Sequence, residues 1–257
     1  MSEQSTLIVG GGIIGLALGR ELACAGKDVH IFERDEAGHG ASWMAGGMLA
    51  PDAEIQFEEP ELYRLSRESL RRWPEYAAAL EQESGHHVDY CTEGTLTVAD
   101  DRDSAEALRR HYEFQKEQGL SVEWLSGAEA REIEPFLAPR LVAAVLTQDQ
   151  QVDSRRVTEA LKAAFLKQGG HLHEHTPVQA LVPDEARPAL ITEAGDRVEG
   201  GLVVLAAGAW SRTIEGMEAE ARPPVRPVKG QVLELRKELP FDLRYTIRGP
   251  NAYLVPK

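Results

Sequence analysis

The chain opens on a run of apolar, β-branched positions, Thr6-Leu7-Ile8-Val9, with the texture of a buried strand in a parallel sheet. From Ile14 the spacing changes to three and four. Ile14, Leu18, Leu22 and Ala25 share one stripe, which predicts a helix stopped by Gly26. Val29-His30-Ile31-Phe32 predicts a second strand that ends on Glu33. Much later, residues 153–168 carry Val157, Leu161, Ala164 and Phe165 on one helical side and end at Gly169-Gly170. Leu202-Val203-Val204-Leu205 is again fully apolar and runs into the small-residue turn Ala206-Ala207-Gly208-Ala209-Trp210-Ser211. Residues 60–83 are charged but periodic, with Leu62, Leu65, Leu70, Trp73 and Leu80 expected on buried faces and Pro74 interrupting or opening a helix.

From Val88 the pattern is different. Val88-Asp89-Tyr90 and residues 94–99, 122–125 and 141–146 read as short strands around a helix at 103–118. The whole is an α/β chain. A Rossmann-like domain with a parallel sheet is expected from residues 1–85 and 150–220, and an α+β domain with a mixed or antiparallel sheet from 86–149 and 221–257. The extended-looking Tyr253-Leu254-Val255 close to the last residue leaves that second domain reading as incomplete.

Between the first strand and first helix stands Gly10-Gly11-Gly12-Ile13-Ile14-Gly15, a G-x-G-x-x-G turn. Its first glycine permits the tight turn, its second lets backbone approach a pyrophosphate, and its third lets the helix pack closely on the strand. Glu33 follows 18 residues after Gly15, at the C-terminal edge of the second strand. There a carboxylate can accept both ribose hydroxyls of an adenosine and would crowd a 2′-phosphate. Strand, turn, helix, strand and acid in that order predict dinucleotide binding.

Composition narrows the partners. Of 257 residues, 42% are hydrophobic and 27% charged, the balance of a globular protein, and the net charge of −14 would repel nucleic acid and anionic membranes. No apolar stretch is long enough to span a bilayer and no basic leader is evident, so a cytoplasmic location is expected. Cys24 and Cys91 make no disulfide framework, and Cys24 is expected in the core of the first helix. Glu83 with His86-His87 reads as a solvated turn. His171-Leu172-His173-Glu174-His175 alternates as an exposed strand face does, and no metal is expected at either place.

The segment from Gly38 to Pro51 consists mostly of small side chains apart from Trp43, Met44 and Met48. Such a backbone can lie against a flat aromatic ring and offer N–H groups to it, with Ser42 capping a short helix; a glycine-rich surface loop is the alternative. Taken with Gly10–Gly15 and Glu33-Arg34, the run Gly40-Ala41-Ser42-Trp43-Met44-Ala45-Gly46-Gly47-Met48-Leu49 resembles the N-terminus of D-amino acid oxidase-type flavoproteins, nearest to their glycine oxidase branch, which acts in thiamine biosynthesis. Glu93-Gly94-Thr95-Leu96, residues 206–211 and residues 227–232 resemble the same family where its chain crosses between domains.

The resemblance implies FAD as cofactor and makes the first domain FAD-binding and the second the substrate domain. It implies cofactor contacts at Gly10, Gly12, Ile13, Ile14 and Gly15, with Glu33 on the ribose, Arg34 toward the adenine and Ser42 beside the pyrophosphate. Ala45, Gly46, Gly47 and Met48 would line the isoalloxazine. The backbone at Val178 would bond the adenine, Ala206, Ala207 and Gly208 would lie close to the cofactor, and Trp210 would stand near the ring. Tyr253, ahead of Leu254-Val255-Pro256-Lys257, is the substrate-side candidate, with Met48 and, more weakly, Tyr245.

The implied reaction is oxidation of glycine, sarcosine or a small D-amino acid, by hydride transfer to flavin N5 with oxygen giving hydrogen peroxide. Orientation suffices for it, so no acid–base residue is nominated. An FAD dehydrogenase with a non-oxygen acceptor is the alternative, and a dimer or tetramer accords with the family. The family's carboxylate-binding arginine would fall after Lys257, and neither Arg244 nor Arg248 matches it by register. A polypeptide ending at Lys257 is therefore expected to oxidise substrate weakly or not at all.

Overall fold

A computed structural model describes residues 4–56, 58–183, 187–236 and 242–257. It divides into two compact units, the first from residues 1–45, 79–88 and 154–232, the second from 46–78, 89–153 and 233–257.

The first unit is built on a four-stranded parallel sheet in the order Leu202–Leu205, Thr6–Val9, Val29–Phe32, His171–His173. Side chains alternate across it. Leu7, Val9 and Phe32 join Leu190 in a buried cluster on one face, under the antiparallel strands Val178–Val182, Ala189–Thr192 and Arg197–Glu199. Ile8 and Ile31 face the other way, toward the helices Ile13–Cys24 and Ser154–Lys167.

The first helix buries a different stripe from the one its large apolar residues predict. Gly15, Leu16, Gly19, Arg20 and Ala23 face inward, while Ile14 is 68% exposed and Cys24 and Ala25 are exposed. The reason is closeness of packing. A Cβ on Gly19 would stand 2.7 Å from Ile31 Cδ1 and 3.2 Å from Phe165 Cε2, so only glycine allows this approach. Arg20 is tolerated in the interior because its guanidinium grips the Glu83 carboxylate through two contacts at 2.6 and 2.7 Å. Cys24 is thus a surface thiol rather than a core residue.

The second unit holds a mixed five-stranded sheet in the order Tyr253–Leu254, Thr246–Arg248, Thr95–Ala99, Ala143–Thr147, Val122–Ser126; only the Thr246–Arg248 and Thr95–Ala99 pair is parallel. One face packs Ala99 and Val145 against Leu108 of the helix Arg102–Glu117, and the other packs Leu96, Ala144 and Ile247 against Ala130 of Gly127–Ile133. Each helix starts with a reciprocal capping box, Asp101 with Ser104 and Ser126 with Glu129, which satisfies amides that lack intrahelical partners. Residues 60–84 form one helix, Pro60–Ser84, that continues through Pro74; Leu70 and Leu80 are buried as expected, but Leu62 and Leu65 are exposed.

The expected strand Val88-Asp89-Tyr90 is absent. Asp89 has φ +50°, outside extended geometry, and only Cys91 reaches a bridge, to Gln151. No helix among the described residues is long and apolar enough to cross a membrane.

Candidate functional site

In the first unit the glycine turn is shaped by neighbouring backbone. Gly10 adopts φ +106°, and a Cβ there would meet the Ala206 carbonyl oxygen at 2.5 Å; one on Gly15 would sit 1.9 Å from the Gly10 carbonyl oxygen. The Gly10 amide donates to Phe32 O and the Ala206 amide to Val9 O, both at 2.8 Å, so the ends of three parallel strands converge on the turn. Gly12 opens the 12-residue helix with no side-chain cap. Its N-terminus therefore presents amides and the positive end of the helix dipole, the chemistry that receives a pyrophosphate.

Glu33 lies across this turn. One carboxylate oxygen accepts the Gly11 amide at 2.7 Å and the other the Asp35 amide at 3.1 Å, which fixes the plane of the acid. Two backbone bonds from later in the chain seat it further: the Glu33 amide donates to His173 O, and the Thr176 amide donates to Glu33 O. The segment leading into Val178 is thereby tied to the acid, and Val178 packs with Ala207 on the Leu7, Val9 and Phe32 cluster.

The loop after Glu33 folds back on the turn, with the Gly38 amide donating to Gly11 O at 2.8 Å. Ser42 does not cap its own short helix, Ala41–Met44, whose N-cap is Gly40. Its hydroxyl instead accepts the Ile13 amide at 2.9 Å, at the start of the first long helix. Ala45 O accepts the Ser154 hydroxyl at 2.6 Å. Arg34 and Trp210, expected toward opposite ends of the cofactor, are neighbours, with the guanidinium 4.7 Å from the indole centroid.

In the second unit Gly47 has φ +80°, and a Cβ would overlap Val152 O at 2.0 Å; the Val152 amide donates to Gly47 O, and Met48 pairs with Gln151 in a two-stranded ribbon. Tyr253 comes from far along the chain to this ribbon. Its strand partners Arg248, and its ring edge would lie 3.4 Å from a Cβ on Gly46. Buried Gln151 fastens the arrangement, accepting the Thr246 hydroxyl at 2.6 Å and donating to Pro256 O at 3.0 Å. Lys257 Nζ donates to Val152 O at 3.0 Å and stands 3.9 Å from Asp153, beside Gly47.

Met48 lines a cavity of about 590 Å³ with Leu62, Leu65 and Trp73 from the long helix, the acids Glu54 and Glu59, and Arg248. Arg248 is the one cation among its described lining residues, and its guanidinium also donates to Ala53 O at 2.6 Å. Tyr245 does not line this cavity. It packs on the Leu96, Leu125 and Ile247 cluster, because it shares the strand parity of Ile247.

The ribbon is anchored from beneath by Asp149, which has no exposed surface. It accepts the Asp52 and Ala53 amides and bonds the Thr147 hydroxyl. Burial pushes its carboxyl up to about 6.

Sequence spacing assigned no role to Gln151, Lys257 or Asp149, and it set Arg248 aside on register. Only Lys257 carried a signal, as the basic residue after Val255-Pro256.

Known proteins resemble the chain along nearly all of its length. It is 35% identical over 253 residues to glycine oxidase of Geobacillus kaustophilus, covering 97% of this chain and 66% of that protein. The crystal structure of glycine oxidase from the same organism superposes with a TM-score of 0.92, covering 99% of this chain and 69% of that one. The bifunctional protein ThiO/ThiG of Synechocystis sp. is 32% identical over 267 residues, and the chain spans 37% of its length. Matched from residue 5 to residue 257, the chain belongs to DAO, the family of FAD dependent oxidoreductases.

Proposed function

We propose that the chain takes part in FAD-dependent oxidation of glycine, sarcosine or a small D-amino acid, with oxygen as the acceptor. The observation that carries this reading is the Glu33 carboxylate fixed across the glycine turn that opens the first long helix, in a chain 35% identical to a glycine oxidase. Gly10, Gly12, Ile13, Ile14 and Gly15 would give their backbone to the pyrophosphate, with Ser42 moving its hydroxyl from the Ile13 amide to a phosphate oxygen. Glu33 would accept the ribose hydroxyls, and Val178 would offer backbone to the adenine. Arg34 and Trp210 would cover the ribose and adenine side together, which their stacking favours over a place for Trp210 at the flavin ring. Ala206, Ala207 and Gly208 would border the phosphates.

In this reading the small residues Ala45, Gly46, Gly47 and Met48 line the isoalloxazine, and the Tyr253 hydroxyl binds the substrate carboxylate. FAD, when bound, supplies the hydride acceptor and passes the electrons to oxygen. The protein's share is orientation: a small amino acid held with its α-hydrogen aimed at the flavin needs no protein base once its amine is neutral. A cytoplasmic setting belongs to the same reading, supported by two unpaired thiols, Cys24 and Cys91.

The test is spectroscopic. A chain extended to the length of the glycine oxidase it matches and mixed with FAD should retain absorbance at about 450 nm, bleach with glycine or sarcosine without oxygen, and form peroxide in step with oxygen consumed, whereas the 257-residue chain should turn over weakly or not at all. Bleaching that is reversed only by an artificial acceptor would favour a dehydrogenase, and a protein that takes up no adenine cofactor would overturn the reading. Tyr253→Phe should retain FAD but raise KM for glycine about tenfold with kcat nearly unchanged, as loss of one hydrogen bond to a carboxylate predicts. An unchanged KM would remove Tyr253 from the site.

A further inference from the structure

The histidines at 171 and 173 alternate like an exposed strand face, but the fold brings other residues to them. The outermost strand of the parallel sheet, His171–His173, pairs with Val29–Phe32 so that His171 lies opposite His30 and His173 opposite Phe32. His30 is buried, and its ring stacks on His171 with centroids 4.5 Å apart. Asp28, just before the second strand, directs Oδ1 at both rings, 3.2 Å from His30 Nε2 and 3.9 Å from His171 Nε2. One ligand atom from each of the three lies within 4.8 Å of the other two.

We propose that Asp28, His30 and His171 form a binding site for a divalent transition-metal ion such as zinc, unrelated to the flavin chemistry. Tetrahedral zinc with bonds of about 2.0–2.1 Å separates its donors by roughly 3.4 Å, close to the Asp28–His30 spacing and half an ångström inside the Asp28–His171 spacing. Nearly parallel rings point their lone pairs side by side, so His171 must turn about its side-chain bond to converge. It stands on an edge strand with 57% of its side chain exposed, and the turn meets little resistance. The fourth position would belong to water.

Two further contacts support the ligands in the way metal sites require. His30 Nδ1 lies 3.0 Å from His173 Nε2, so a His30 that ligates through Nε2 donates its Nδ1 proton to His173. Asp28 Oδ2 is hydrogen-bonded by the Ser5 hydroxyl, which orients the carboxylate with Oδ1 toward the rings. The site lies toward the beginning of the second strand, whereas Glu33 lies at its end, about 16 Å from Asp28 and about 10 Å from His30 at the rise of an extended chain. The ion would therefore tie the edge strand to the loop before its neighbour and leave the nucleotide motif untouched.

Tag-free protein stripped with a chelator and titrated with zinc chloride against a chromophoric competitor should bind one equivalent with about micromolar affinity. Cobalt(II) should give the visible bands of a low-coordinate ion, and zinc should raise the melting midpoint. His171→Ala and Asp28→Asn should each weaken binding at least tenfold and remove the midpoint shift, and His173→Phe should weaken it roughly tenfold through loss of the ring's anchor. His86→Ala combined with His87→Ala should leave affinity unchanged, and FAD content should be the same throughout. Absence of stoichiometric zinc binding, or binding that persists undiminished in both the His171 and Asp28 variants, would overturn the proposal.

Discussion

Replacing Gly15 by alanine should cost about 3 kcal/mol of stability and release the cofactor. The added carbon would fall 1.9 Å from the Gly10 carbonyl oxygen, deep inside van der Waals contact, and that oxygen belongs to the turn itself. Relief can come only by moving the helix away from the strand or by rotating the Gly10 peptide. Either change spoils the amides at the helix N-terminus. Gly26→Ala is the contrasting control: unlike helical Gly15 it carries a positive φ, +73°, but nothing lies within 4 Å of its Cβ position. It should lose about 1 kcal/mol of stability and no FAD. Thermal melts with the ratio of flavin to protein absorbance read both quantities. A Gly15→Ala protein that melts like the control and stays yellow would refute the close-packing account.

Asp149→Ala should destabilise the protein by about 3 kcal/mol, because the buried amides of Asp52 and Ala53 lose their acceptor together. The acid also sets a pH dependence. Its pKa is raised by burial from 3.8 to about 6, so the folded state holds its proton more tightly than the unfolded chain does. The stability this provides is complete below about pH 4 and disappears as pH rises through about 6, a span of roughly 3 kcal/mol at most.

Thr147 shows how the protonated form fits. Its hydroxyl has one hydrogen and lies between Thr95 O and Asp149. A protonated Asp149 donates to Thr147, which then donates to Thr95. Asp149→Asn cannot ionise, so its unfolding free energy should vary less between pH 4 and 7 than that of the parent. Neighbouring Asp52, also raised by burial, leaves a smaller residual slope. Equal slopes in urea titrations across that range would show that Asp149 does not titrate there.

Those two residues also mark how far the sequence could be read. Gly15 was legible because its strand, turn, helix and acid follow one another within 33 residues, and each has a local signature. The same locality misled at the helix face, where large side chains suggested one stripe and glycines made another the packing surface. Asp149 carried no signal. An acid in Gln148-Asp149-Gln150 reads as solvated until the amides of residues 52 and 53 are folded over it. Tyr253 beside Gly46 and Trp210 beside Arg34 are contacts between residues more than 170 positions apart, which no spacing rule reaches. The antiparallel strands between Val178 and Glu199 were missed because proline, glycine and charged residues break that stretch into short apolar runs with no clear alternation.

The pairing of Thr6–Val9 with Leu202–Leu205 bears on how the protein is made. The glycine turn leaves the ribosome nearly 200 residues ahead of Ala206, whose carbonyl confines Gly10. A nascent chain must therefore hold an unfinished glycine turn, with one edge of the strand Thr6–Val9 bare, through the synthesis of nearly 200 more residues. Such distant closure is slow and leaves a strand open to aggregation. Chaperone supply during synthesis should then raise the yield of native protein.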